Sequence, residues 1–184
     1  MNGRRRLIGS FTHGSMANAL PQAIGAQSAC PDRQVIALSG DGGLAMMLGD
    51  LITLEQQRHP VKVVVFNNGA LGFVELEMKA EGMVNFDTDL DNPNFADVAE
   101  SLGIHGSRVE RPADLADALR TAFARPGPAL VEVMTARQEL SVPPTITFDQ
   151  ARGFALYAAR TVLSGRGDEL LELARTNVVR HLPS

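Results

Sequence analysis

Two short β-branched runs, Val35 to Leu38 and Val61 to Phe66, each break off at residues that strands tolerate poorly, and this limits the possible folds more than any other feature. The first runs into Gly40-Asp41-Gly42-Gly43 and the second into Asn67-Asn68-Gly69. A short apolar run closed by such residues reads as a buried strand of a parallel sheet. Between the two, Leu44 to Arg58 is long enough for a helix, with Met47, Leu48, Leu51, Ile52 and Leu54 at helical spacings. Strand, helix, strand is the expected unit.

The alternation continues. A helix is expected over Asn94 to Leu102, a strand over His105 to Val109, a helix over Pro112 to Phe123 with proline at its start, and a strand over Ala129 to Val133. Upstream, Met16 to Ala29 reads as a small-residue helix packed closely on the sheet. This is the pattern of an α/β fold, a doubly wound, mostly parallel sheet with helices on both faces. Ligands of such folds bind at the carboxyl ends of the strands, where Asp41 and Asn68 both lie. After Arg137 the character changes: Ser141 to Phe148 reads as an extended, proline-bearing linker leading to two helices, Asp149 to Ser164 and Asp168 to Val179, split by Gly165-Arg166-Gly167. The expected organisation is a catalytic domain over residues 1–140 and an amphipathic helical tail over 141–184.

Composition narrows the function classes. A chain of 184 residues, 45% hydrophobic and 21% charged, can bury one substantial core, and a net charge of -4 supplies no basic footprint for nucleic acid. The single cysteine, Cys30, permits neither an intramolecular disulfide nor a cysteine metal cluster; it reads as a small packed apolar residue in a reducing cytoplasm. Arg4 to Arg6 precede Leu7 and Ile8, but Gly9 to His13 breaks the run before a signal-peptide core forms, and no apolar stretch is long enough to span a membrane. His13, His59, His105 and His181 are too scattered for a zinc site, and Ser15 and Ser39 lack the glycine frame of a nucleophile elbow.

The chemistry-bearing constellation is Gly40-Asp41-Gly42, then 24 residues from Gly43 through Phe66, then Asn67-Asn68. Taken singly, each half reads as a turn. Together they put a carboxylate and an amide oxygen at the ends of adjacent strands with a helix between. Such hard oxygen ligands suit magnesium, which readily takes further oxygens from a diphosphate. A dinucleotide site fits worse: the G-x-G-x-x-G turn is not met at Gly40 to Ala45, and an aspartate at its second position would repel a bare pyrophosphate.

The pattern resembles the cofactor motif of the thiamine-diphosphate (ThDP) enzymes, the family of pyruvate oxidase, acetolactate synthase and pyruvate decarboxylase. That resemblance implies that Asp41, Asn68 and the main-chain carbonyl of Ala70 bind magnesium, and that Gly42 and Gly43 let the backbone approach the diphosphate. It sets Gly14, Ser15 and Met16 beside the cofactor, with Met16 as the apolar wedge that bends it; on residue type alone Ser15 reads as a helix N-cap. The stretch Asn68-Gly69-Ala70-Leu71-Gly72-Phe73-Val74, with its continuation to Lys79, Gly9 to Gln27 and Gly153 to Asn177, resembles the quinone-linked pyruvate dehydrogenases. Gly69 to Val74 are then expected at the cofactor, and Phe73 is expected to assist electron transfer to a flavin; otherwise Phe73 reads as an apolar residue packing a short helix. Glu75 and Glu77 read as solvated, with no catalytic role.

The resemblance implies oxidative decarboxylation of pyruvate to acetate and carbon dioxide, with ThDP, Mg2+ and, in the complete enzyme, FAD as cofactors and a quinone as acceptor. The glutamate that protonates the cofactor's aminopyrimidine and the FAD-binding domain lie upstream in that family. Met1 to Arg6 looks like an interior stretch of the complete enzymes, so the expectation is a truncated reading frame or one piece of a split enzyme. Such a chain needs the missing N-terminal domains or a partner subunit, is a homo-oligomer when complete, and does not turn over pyruvate alone. Residues 151–184 carry five arginines against Asp168, Glu169 and Glu172, whereas the first 150 residues are net acidic. The tail is therefore expected either to dock on its own domain or, as in the quinone-linked relatives, to touch a membrane surface reversibly, on the inner face of the cell membrane of a cytoplasmic protein. Two other readings remain: another ThDP-dependent 2-oxo-acid enzyme of acetolactate synthase or decarboxylase type, and a noncatalytic cofactor-binding module.

Overall fold

The computed structural model describes residues 5–137 and 147–177. These form two compact units: one comprises the chain up to Asn68 together with Asp91–Thr135, the other Gly69–Leu90 together with the chain from Ala136 on. The expected linker, Ser141 to Phe148, lies largely outside the described residues.

The first unit is the sheet unit. Helix α1 (Ala19–Ala29) precedes strand β1 (Ile36–Gly40), helices α2 (Asp41–Met46) and α3 (Leu51–Gln56), and strand β2 (Lys62–Asn67). Helix α4 (Gly72–Ala80) belongs to the other unit; α5 (Phe95–Ser101), β3 (His105–Val109), α6 (Leu115–Ala124) and β4 (Ala129–Met134) return to the sheet unit. The four strands are parallel in the order β1-β2-β4-β3. The expected α/β fold, a parallel sheet with helices on both faces, is what the chain adopts.

Chain direction explains which helix covers which face. Connections from β1 through β2 to β3 advance across the sheet, so right-handed crossovers put α3 and α5 on one face; β3 to β4 steps back, which puts α6 on the other. The first face carries the main core, in which Leu20 of α1, Leu44, Leu51, Leu54, Phe95 and Ala99 pack on Ala37, Val63, Val65 and Leu130. On the second, Ala122 with Leu115, Ala118 and Leu119 covers Val109, Ala129 and Val131. Among the described residues no comparable cluster covers β1 there, and its burial alternates: Ala37 and Ser39 are buried while Ile36 and Leu38 are exposed, as is Phe66 of β2. The buried strand expected at Val35 to Leu38 is thus buried on one face only.

Several other boundaries differ from expectation. Leu44 to Arg58 is not one helix: α2 begins at Asp41, directly after the strand, and Met47 leaves helical geometry (φ -126°, ψ 29°) before a 3-10 turn over Leu48–Asp50 starts α3. A 3-10 turn, Met16–Asn18, likewise precedes α1, and another, Pro112–Asp114, opens the way to α6. Cys30, expected to be packed, is exposed, because it lies just past the last turn of α1 in a solvent-facing loop.

In the second unit, α4 packs against α7 (Phe148–Leu163), which is followed by α8 (Gly167–Asn177). The α4–α7 approach is close enough that a Cβ at Gly153 would collide with the Ala80 main-chain carbonyl. Thr147 caps α7 through a capping box with Gln150. Glu75, expected to be solvated, is buried at 2% exposure. Its carboxylate accepts from Lys79 (3.2 Å), Thr88 (3.0 Å) and Arg137 (2.6 Å), and Arg137 also pairs with Asp89. Three donors offset the desolvation of one carboxylate, which is why it can be inside.

Candidate functional site

β1 and β2 run side by side with Gly40 in register with Phe66, so Asp41 and Asn67-Asn68 emerge at the same end of adjacent strands. Asp41 is the first residue of α2 and only 3% exposed. Its Oδ1 accepts from the main-chain N–H of Gly42 at 2.9 Å, and its Oδ2 accepts from Nδ2 of Asn92 at 2.8 Å. The same Asn92 nitrogen donates to Oδ1 of Asn67 at 3.2 Å. Asn67 is buried; Asn68, the expected metal ligand, is half-buried one residue past the end of β2.

Asn92 was not legible as a functional residue. It sits in Asp91-Asn92-Pro93-Asn94, which reads as turn chemistry, and its neighbour Asn94 fulfils that reading by capping α5 through bonds to Ala96 and Asp97. The signal available was a second asparagine, two residues earlier, that the cap does not use. Nor does local pattern mark Glu132, a fully buried carboxylate in the middle of β4 that accepts from Asn67 Nδ2 at 2.7 Å, Arg108 at 3.1 Å and the Ala96 N–H at 3.3 Å.

The glycine-rich turn is shaped by contact with the Met16 segment. A Cβ at Gly43 would meet the Met16 main-chain carbonyl, so glycine here lets the 3-10 turn Met16–Asn18 lie against α2. The Met16 side chain remains about half exposed. Ser15 stands at the N-cap position of that turn but makes no capping bond through its side chain, and Gly14 occupies the left-handed region at φ 62°.

The remaining expected residues belong to the second unit. Gly69 turns the chain at φ 67°, and buried Ala70 bridges to Asp89, its carbonyl accepting from Gly72 at 2.9 Å. Leu71 precedes α4, Gly72 opens it, and Phe73 and Val74 lie on its exposed side. Phe73 is 73% exposed, so it does not pack a helix against the described residues.

Residues 1–133 match the family "Thiamine pyrophosphate enzyme, C-terminal TPP binding domain", thiamine pyrophosphate being another name for ThDP. The thiamine pyrophosphate-containing protein YdaP of Bacillus subtilis is 35% identical over 176 residues, 96% of this chain and 30% of that protein. Acetolactate synthase isozyme 1 large subunit of Escherichia coli is 34% identical over 145 residues, 78% of this chain and 26% of that protein. Among solved structures, the ThDP-dependent 4-hydroxybenzoylformate decarboxylase of Rhodococcus jostii RHA1 superposes with a TM-score of 0.63 at 35% identity, covering 67% of this chain and 24% of that one. The chain thus spans less than a third of the length of these relatives. With a buried aspartate and an asparagine pair at the ends of adjacent parallel strands, and a family match over most of its length, the chain belongs to the thiamine pyrophosphate enzymes, as their C-terminal cofactor-binding domain.

Proposed function

We propose that the chain is the ThDP- and Mg2+-binding C-terminal part of a pyruvate:quinone oxidoreductase, in which pyruvate, water and quinone give acetate, carbon dioxide and quinol. The observation that carries the cofactor reading is the pairing of β1 with β2, which sets Asp41 beside Asn67-Asn68 at one end of the sheet. The donor set fits magnesium: a buried carboxylate and an amide oxygen are hard ligands, and this cation leaves further positions to diphosphate oxygens. The main-chain carbonyl of Ala70 is the third protein ligand that the family resemblance adds. Bound ThDP supplies the electron sink for decarboxylating a 2-oxo acid; the protein binds and orients it. Gly14, Ser15 and Met16 flank it, and the half-exposed, unbranched Met16 side chain has the freedom to adapt to its rings.

The quinone-linked reading draws on the resemblance of Asn68 to Lys79 and of the tail to that subfamily. In it FAD is the carrier in the complete enzyme, and exposed Phe73 assists electron transfer. Missing N-terminal domains or a partner subunit supply the remaining catalytic groups, in a homo-oligomer.

A second reading, a 2-oxo-acid enzyme of acetolactate synthase type, is favoured by the relatives: acetolactate synthases from a bacterium, a fungus and a plant are 34–36% identical over 138–148 residues. One experiment separates the two. The chain is supplied with pyruvate, ThDP, Mg2+ and FAD, alone and mixed with a polypeptide carrying the family's N-terminal domains, and both flavin bleaching and acetolactate are followed. The expected result is no turnover alone and pyruvate-dependent flavin reduction on mixing; acetolactate formation instead would establish the second reading.

A further inference from the structure

Glu132 lies in β4, the strand between β2 and β3, and its side chain is completely buried. A parallel sheet needs only apolar residues at such a position, and a carboxylate there is costly unless its oxygens are well satisfied. Apolar packing alone therefore gives no reason for it.

The hydrogen bonds supply one. A carboxylate only accepts, so Asn67 must present its NH2 group to Glu132, at 2.7 Å, and its carbonyl to the opposite side. That carbonyl faces Nδ2 of Asn92 at 3.2 Å, and the same nitrogen donates to Asp41 Oδ2 at 2.8 Å. Neither amide has an orientation imposed by its own chemistry. With Glu132 in place, both are set in one sense, and a donor rather than an acceptor is aimed at Asp41. The second oxygen of Asp41 is held by the Gly42 N–H at 2.9 Å. Arg108 and the Ala96 N–H hold Glu132 in turn, at 3.1 and 3.3 Å.

We propose that Glu132 is a positioning residue for the magnesium carboxylate, acting on Asp41 through the side-chain amides of Asn67 and Asn92. The proposal rests on the reading of Asp41 as a magnesium ligand. Glu132 touches neither metal nor cofactor; it fixes the rotamer of the residue that does, and outer-shell partners of this kind are worth about 10- to 100-fold in metal affinity.

The test is a Mg2+ titration of ThDP binding to the full chain, followed by calorimetry, for wild type, Asp41→Ala, Asn92→Ala, Glu132→Gln and the Asn92→Ala/Glu132→Gln double variant. Asn92→Ala and Glu132→Gln are each expected to raise the Mg2+ midpoint by about 10- to 100-fold. Residues acting in series couple, so the double variant should be no worse than Asn92→Ala alone. A purely structural role for Glu132 would instead give independent, additive losses, and that outcome overturns the proposal. An unchanged midpoint in Asn92→Ala also overturns it, even should Glu132→Gln fail to fold, because Asn92 is a partly exposed loop residue through which the relay must pass. If Asp41→Ala loses the Mg2+ dependence while Asn92→Ala keeps the wild-type midpoint, the relay alone is wrong; if wild type and Asp41→Ala bind ThDP equally tightly whether or not Mg2+ is present, the reading beneath it falls as well.

Discussion

Asp41 enters α2 as its first residue, so its carboxylate is bound to the frame of the helix and to the Gly42 N–H beside it. A short side chain at a strand-to-helix junction has little freedom, which suits the metal-ligand role proposed for it. Glu75 shows the same economy used for stability: it is buried against Lys79, Thr88 and Arg137, and Lys79 also lies 5.7 Å from the centre of the Tyr157 ring. Glu75→Ala removes the anion and leaves Lys79 inside without it. The expected loss is about 3 to 5 kcal/mol of unfolding free energy in urea titrations, the usual cost of breaking a buried pair. A loss under about 1 kcal/mol, the scale of an exposed pair, would contradict the network. Asp41 and the asparagine pair were readable from sequence because glycines and turn residues mark strand ends. Glu75 was not, since its burial depends on Arg137, 62 positions away in the chain. Asn92 and Glu132 are not legible for a related reason: their partners are set by strand order, which local pattern does not encode.

At the scale of elements, β2 shows what a parallel strand at the sheet centre requires. Its first residue, Lys62, is buried, and its amine donates to the main-chain carbonyls of Arg125 (2.8 Å) and Gly127, tying β2 to the turn between α6 and β4. Burial, with a smaller contribution from the Arg125 charge, holds the Lys62 pKa below its ordinary value. A base depressed in the folded state is penalised most while both states are protonated. That penalty is relieved as pH rises through the folded-state value toward the ordinary lysine value of about 10.4. Stability of wild type relative to Lys62→Met should therefore rise across that alkaline interval, as read from urea midpoints at stepped pH; a flat difference would contradict it. The strands and most helices were legible because β-branched runs and helical apolar spacing are local signals. The break within Leu44 to Arg58 was not: Met47 and Leu48 satisfy the helical spacing, yet the chain leaves the helix at Met47. The burial of Gly43 and Leu44 within α2 and the core position of Leu51 are tertiary demands that override the continuous pattern.

At the scale of the whole molecule, Asp41 and Asn68 belong to the sheet unit, while Gly69 to Val74 belong to the other. The expected split into residues 1–140 and 141–184 followed composition, whereas contacts group Gly69–Leu90 with the tail helices. Helix α8 buries no residue among those described, and Leu171 is exposed on it. If the tail meets a membrane surface, deleting residues 165–184 should abolish co-sedimentation with anionic lipid vesicles; equal sedimentation of both forms would dismiss that contact. Among the described residues no helix is long and apolar enough to cross a membrane. The central claim concerns one ion. Calorimetric titration of ThDP into the wild-type chain and Asp41→Ala, with and without Mg2+, should give saturable binding to wild type that requires Mg2+ and is lost in the variant. Binding indifferent to both the cation and the aspartate would contradict the account.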